Sequence, residues 1–164
     1  MPQTPSSWPT WYVAVLATYA VFLLAIAVYD ARWQRIPNRA VYPAAGAAVV
    51  LAFFQPVGPW WSFILAGVFA GSLLLGISIV SRGGLGIGDA KLAVLIGLMS
   101  GWPSVIAALF IAFAGGAVVG LALMASGRIG RREPMPFGPA LAAGAIAGIF
   151  VGPQVARALW PVFG

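Results

Sequence analysis

Residues 11–29, 60–80 and 103–125 are three runs of chain without a single charged side chain. A bilayer-spanning helix needs roughly 20 apolar residues, within a range of about 17–25, and each of these runs meets that length. Three shorter apolar stretches, residues 39–54, 89–100 and 137–151, fall between and after them. Only 7% of the chain is charged and 62% is hydrophobic, whereas a soluble domain carries about 25% charged residues. The expected fold is therefore all-α: a polytopic membrane protein of about six transmembrane helices, forming one domain over residues 1–164. After residue 151, Gly152-Pro153 predicts the end of the last span and a short amphipathic tail.

The loops set the orientation. Arg32, Arg35 and Arg39 flank the first loop, Arg82 and Lys91 the third, and Arg128, Arg131 and Arg132 lie in the fifth. The second loop (residues 55–59) and the fourth (101–103) carry no charge. Basic loops stay on the cytoplasmic side, so the odd loops are expected inside and both termini outside, with Arg157 the one basic residue outside this scheme. Trp8, Trp11, Trp60, Trp61 and Trp102 then fall at the outer boundary, as an aromatic belt would place them. Ala25-Ile26-Ala27 has the form of a signal-peptide cleavage site, but the first ten residues lack the basic n-region that such a peptide needs. The net charge of +6 sits in short interhelical loops, so no nucleic-acid partner is expected.

Chemistry is narrowed by what is missing. The chain has no cysteine and no histidine, which removes disulfides, thiolate and histidine metal sites, and Ser-His-Asp or Cys-His catalysis. Only three acidic residues remain: Asp30, Asp89 and Glu133. Asp30 and Asp89 both lie where an apolar helix meets a basic cytoplasmic loop. Carboxylates near a membrane segment are functional candidates by default. Two held close together share a proton, so that one can activate a water while the other donates to a scissile carbonyl. That chemistry needs no metal or cofactor, and none is indicated. An aspartate at a helix terminus also serves as a cap or dipole partner, and Asp30 could pair with Arg32 or Arg35. Glu133 reads as a solvated loop charge.

Around the two aspartates, Gly83, Gly84, Gly86 and Gly88 are expected to permit positive φ and to let a substrate backbone approach. Ile36-Pro37-Asn38 predicts a rigid turn with Asn38 as N-cap of the second span. Lys91, two residues past Asp89, is expected on another side of its helix, at headgroup level. Gly67 and Gly71 form a small-xxx-small pair assigned to helix packing.

Asp30 ahead of Ile36-Pro37-Asn38, then Gly86-Ile87-Gly88-Asp89-Ala90-Lys91, then Pro136-Phe137-Gly138-Pro139 is an ordered set that resembles the type IV prepilin peptidase family. The resemblance implies a membrane aspartic endopeptidase of the bacterial inner membrane, cutting the short basic leader of prepilin or pseudopilin precursors at the cytoplasmic face. It implies Asp30 and Asp89 as the catalytic pair. Gly86, Gly88, Pro37, Asn38, Lys91, Pro136, Phe137, Gly138 and Pro139 are then the candidate substrate-binding residues. The bifunctional members carry a cysteine-bearing N-methyltransferase insert, which this cysteine-free chain lacks. It is more similar to the short peptidases of tight-adherence (Flp) pilus systems, with archaeal preflagellin peptidases next. The same aspartates also resemble the presenilin and signal-peptide-peptidase signature, although there the pair sits on consecutive helices and here two spans intervene. A reading from another class is a small transporter coupling protons or cations through Asp30 and Asp89.

Overall fold

Pro9 opens the first helix, where a missing N–H costs nothing, and the apolar run behind it continues to Trp33. The computed structural model describes residues 8–81, 85–127 and 136–163. Within them lie six helices: α1 (Thr10–Trp33), α2 (Asn38–Ala52), α3 (Trp60–Val80), α4 (Ile87–Ser100), α5 (Ser104–Ala125) and α6 (Gly138–Phe163). No strand occurs among the described residues. By length and composition α1, α3 and α5 can each cross a membrane.

On α1 the buried residues are Tyr12, Leu16, Tyr19, Leu23, Ile26 and Asp30. This spacing of three and four traces one helix face, and Asp30 is its last member. The opposite face exposes Val13, Val21, Leu24 and Val28. Apolar side chains facing outward along a whole helix suit hydrocarbon and not water. Gln34 closes α1 in the left-handed conformation (φ 50°), its N–H donating to the Asp30 carbonyl at 2.7 Å. The helix thus runs one turn past the predicted end at residue 29, leaving Asp30 inside its last turn.

The centre of the bundle is α4. Ala90, Leu92, Ala93, Leu95, Ile96, Leu98 and Met99 are all buried, and α4 packs against α2, α3, α5 and α6. Its 14 residues reach about 21 Å at 1.5 Å per residue. Close approach to α3 comes from small residues on both sides. A Cβ on Gly97 would run into the Ala66 carbonyl, and one on Gly67 would meet Leu98 Cγ at 2.8 Å. Gly67 and Gly71 thus serve packing, against Leu98 and Val94 of α4. The same device joins α5 to α6, where Gly144 lies against the backbone of Ala108 and Ala112.

Side-chain hydrogen bonds fasten the two ends of the bundle. At one, Ser62 Oγ donates to the Trp102 carbonyl at 3.0 Å and accepts from the Trp102 N–H at 2.9 Å, tying the start of α3 to the α4–α5 turn. Exposed Trp11, Trp60 and Trp61 begin helices α1 and α3. At the other end, Ser78 Oγ of α3 donates to the Leu85 carbonyl at 2.7 Å, pinning the segment that leads into α4.

Two expectations are corrected. The sixth helix does not stop at residue 151 but continues through Gly152 and Pro153 to Phe163; Gly152 lies close on Ser104 of α5, so packing holds the helix where local sequence predicts a break. Asn38 does not cap α2. Pro37 occupies the N-cap with no side-chain cap bond, because the Asn38 amide is engaged elsewhere. Arg82, Gly83, Gly84, Arg128, Arg131, Arg132 and Glu133 lie outside the described residues, as do the side chains of Pro153 and Arg157.

Candidate active site

Asp30 and Asp89 come from helices far apart in sequence and line one cavity of about 310 Å³. Gln34, Arg35, Ile36, Asn38, Gly86, Gly88 and Lys91 complete its wall. Both carboxyl-bearing residues are buried, at 4% and 7% exposure. Burying an ionised carboxylate costs several kcal/mol unless hydrogen bonds replace its water. Here each acid has one main-chain donor.

For Asp89 the donor is local. It is the third residue of α4, and its Oδ2 reaches back to accept the Gly86 N–H at 3.0 Å, while its own N–H donates to the Gly86 carbonyl at 3.0 Å. This is the carboxylate half of a capping box, and Oδ1 is not used by it. The capping reading of Asp89 and its place in the cavity are therefore both correct. For Asp30 the donor is remote: the Gly138 N–H, the first residue of α6, donates to Oδ2 at 2.9 Å. The opening N–H groups of a helix have no partner within it, and Asp30 supplies one. Glycine lets Asp30 come this close. A Cβ on residue 138 would lie 2.6 Å from Asp30 Oδ2 and 2.9 Å from its Cγ.

The glycines before Asp89 act differently from the sequence expectation. Gly86 has φ −73° and ψ 144°, an extended conformation open to any residue, and among the described residues only Gly101 and Gly127 have positive φ as glycines. What Gly86 and Gly88 provide is room. A Cβ on Gly88 would stand 3.1 Å from Ile36 Cβ, and one on Gly86 would stand 3.1 Å from Asp89 Oδ2. Nor is the Gly86 backbone free for a substrate, since Asp89 uses both its N–H and its carbonyl.

Lys91 also departs from expectation. It faces the cavity, its ammonium donating to Asn38 Oδ1 at 3.0 Å and lying 5.1 Å from the centre of the Tyr42 ring. This bond is what takes Asn38 away from capping. Pro37, Pro136, Phe137 and Pro139 are not part of the cavity wall. Pro37 starts α2, and Phe137 packs on Phe113 of α5 with ring centres 5.2 Å apart. Gly138 meets the site only through its N–H. Sequence reasoning missed Ser78, whose hold on Leu85 has no local signature, and the wall residues Gln34, Arg35 and Ile36. Among the described residues no three His, Cys, Asp or Glu side chains gather as a metal site.

The family model described as the type IV leader peptidase family matches residues 17–121, a stretch that contains both aspartates. The chain belongs to the type IV leader peptidase family. Among family relatives, the prepilin leader peptidase/N-methyltransferase of Bacillus subtilis is 35% identical over 134 residues, 81% of this chain and 54% of that protein. The leader peptidase HopD of Escherichia coli is 33% identical over 147 residues, 84% of this chain and 90% of HopD. HopD of Salmonella typhimurium is 31% identical over 157 residues, 90% and 93% of the two chains. The chain thus spans about half the length of the two-activity relative and nine-tenths of the short leader peptidases. No solved structure matches it. Membership of the leader peptidase family takes precedence over the transporter and presenilin-like readings.

Proposed function

We propose that this chain is a membrane aspartic endopeptidase that removes the short basic leader from prepilin or pilin-like precursors, with Asp30 and Asp89 as its catalytic dyad. The observation that carries this reading is the convergence of two buried carboxylates on one cavity, each fixed by a main-chain N–H. Two close carboxylates cannot both ionise cheaply and share a proton. The ionised member takes a proton from a water as the water oxygen bonds to the scissile carbonyl carbon. The protonated member donates to the carbonyl oxygen, giving a neutral tetrahedral diol. Collapse of the diol breaks the C–N bond: the leaving amine takes the proton of the now protonated member, and one diol hydroxyl returns its proton to the ionised member as the new carboxyl group forms, restoring the singly protonated dyad. The titration then belongs to the pair and not to either residue.

The bilayer is the second partner. In the proposed arrangement all six helices lie in the bacterial inner membrane with both termini outside, and the α1–α2 loop, the α3–α4 segment and the cavity face the cytoplasm. Support comes from the loop arginines, from exposed apolar faces on the long helices, and from both aspartates lying at the bundle end opposite Trp60 and Trp102. The activity proposed for these residues is leader cleavage, as in short tight-adherence peptidases, and they hold no cysteine of the kind the N-methyltransferase insert of bifunctional members carries. The direct test is incubation of the purified chain in vesicles with a pilin-type precursor. Leader removal that is lost in both Asp30→Asn and Asp89→Asn supports the reading; removal that persists in either variant overturns the dyad.

A further inference from the structure

A second recess of about 520 Å³ lies between α2, α3 and α4, and its wall is almost wholly apolar. On α3 its wall runs from Ile64 to Leu75 through Val68, Gly71 and Ser72, about three helical turns or roughly 16 Å. Val68 is 61% exposed and Ile87 62%, so the groove opens sideways, where a bilayer-spanning bundle meets lipid. An open apolar groove alone could hold any hydrocarbon chain. What distinguishes this one is its junction with the catalytic cavity. Gly86 and Gly88 line the cavity, Ile87 between them lines the groove, and Lys91 lines both. The two spaces therefore meet at the residues just before and after Asp89.

We propose that this groove is the seat of the substrate's apolar helix. The inference rests on the leader-peptidase reading above and extends it to the route by which a membrane-embedded precursor reaches the dyad. The chemistry of the two spaces matches a segment that changes character at the cut. The apolar wall along α3 takes a helix side by side, where the small, exposed side chain of Ser72 leaves room for another backbone. The polar cavity, with Arg35, Asn38 and Lys91, takes the extended residues around the scissile bond. Ile87 is the point at which the substrate leaves the groove and turns toward Asp89. Lipid is the competing occupant, and it has no reason to select the groove that opens onto the dyad.

The test uses the full chain in vesicles with a precursor whose apolar helix is embedded. In an Asp89→Asn background, a photo-cross-linking residue at Ser72 is expected to capture the precursor helix. The same probe at Phe110, which is 72% exposed on α5, is expected to capture lipid. In the active enzyme, Ser72→Trp should raise KM for the embedded precursor about tenfold or more with kcat within about twofold, the mark of lost uniform binding. Phe110→Trp should change neither. Capture of lipid alone at Ser72, or an unchanged KM in Ser72→Trp, overturns the groove assignment and leaves the leader-peptidase reading standing. Failure of the unsubstituted enzyme to cut the precursor overturns that reading, and the groove assignment with it.

Discussion

The Gly138 N–H donates to Asp30 Oδ2 at 2.9 Å across 108 residues of sequence. This bond joins the last turn of α1 to the first residue of α6, and through it Gly138 of the Pro136-Phe137-Gly138-Pro139 segment supports Asp30. Its effect is testable. Gly138→Ala places a methyl 2.6 Å from the accepting oxygen, so Asp30 must shift. Displacing a reacting group by about 1 Å costs on the order of 10²-fold in rate, and a loss of that size in kcat is expected with the fold retained. Gly46→Ala, whose added Cβ meets nothing within 4 Å, should be neutral. Full kcat in Gly138→Ala would show that the bond does not position Asp30.

Asp30→Asn and Asp89→Asn are nearly isosteric, and each removes the proton that the pair must exchange. General acid–base catalysis contributes about 10²–10⁴-fold, so each variant should lose at least that much while inserting into membranes normally. Leader cleavage in vesicles at matched protein levels measures it. A variant within tenfold of the parent would remove its residue from the dyad.

Packing of α3 on α4 predicts a stability effect separable from catalysis. A methyl on Gly97 collides with the Ala66 backbone, which cannot rotate away. Overpacking of this kind costs about 1–3 kcal/mol, so Gly97→Ala should lower the unfolding temperature in detergent. Gly76→Ala, with nothing within 4 Å of its added Cβ, should not. An unshifted Gly97→Ala would mean the two helices separate more easily than their contact suggests.

Reporter fusions test the proposed orientation. A cytoplasm-dependent reporter joined after Arg35 should be active, and one joined after Pro56 should be silent, because only the first of these loops carries arginine. Activity at Pro56 would put the aspartates on the outer face.

Much of this architecture is legible because apolar run length acts locally. The run at residues 60–80 became α3 at the same bounds, and Asp30 and Asp89 converge as their positions at helix ends implied. What the sequence hid is relational. A glycine carries no sign of what touches it, so Gly138 could not reveal Asp30, and Gly88 could not reveal Ile36. Gly86 suggested a special backbone conformation and instead supplies space. Asn38 reads as a cap by type, but Lys91, 53 residues away, claims its oxygen. Gly152-Pro153 reads as a stop until α5 is seen lying against it.

A main-chain amide supplies a donor to each aspartate. A donor of that kind cannot be deleted by replacing its own side chain, since every residue but proline has one. Neighbouring positions are therefore free to drift over evolutionary time without releasing either acid. The exception is residue 138, where any Cβ would push the Asp30 carboxylate itself out of place. In a mutational scan of the whole chain, position 138 should stand with the two acids among those that tolerate no exchange, although it performs no chemistry.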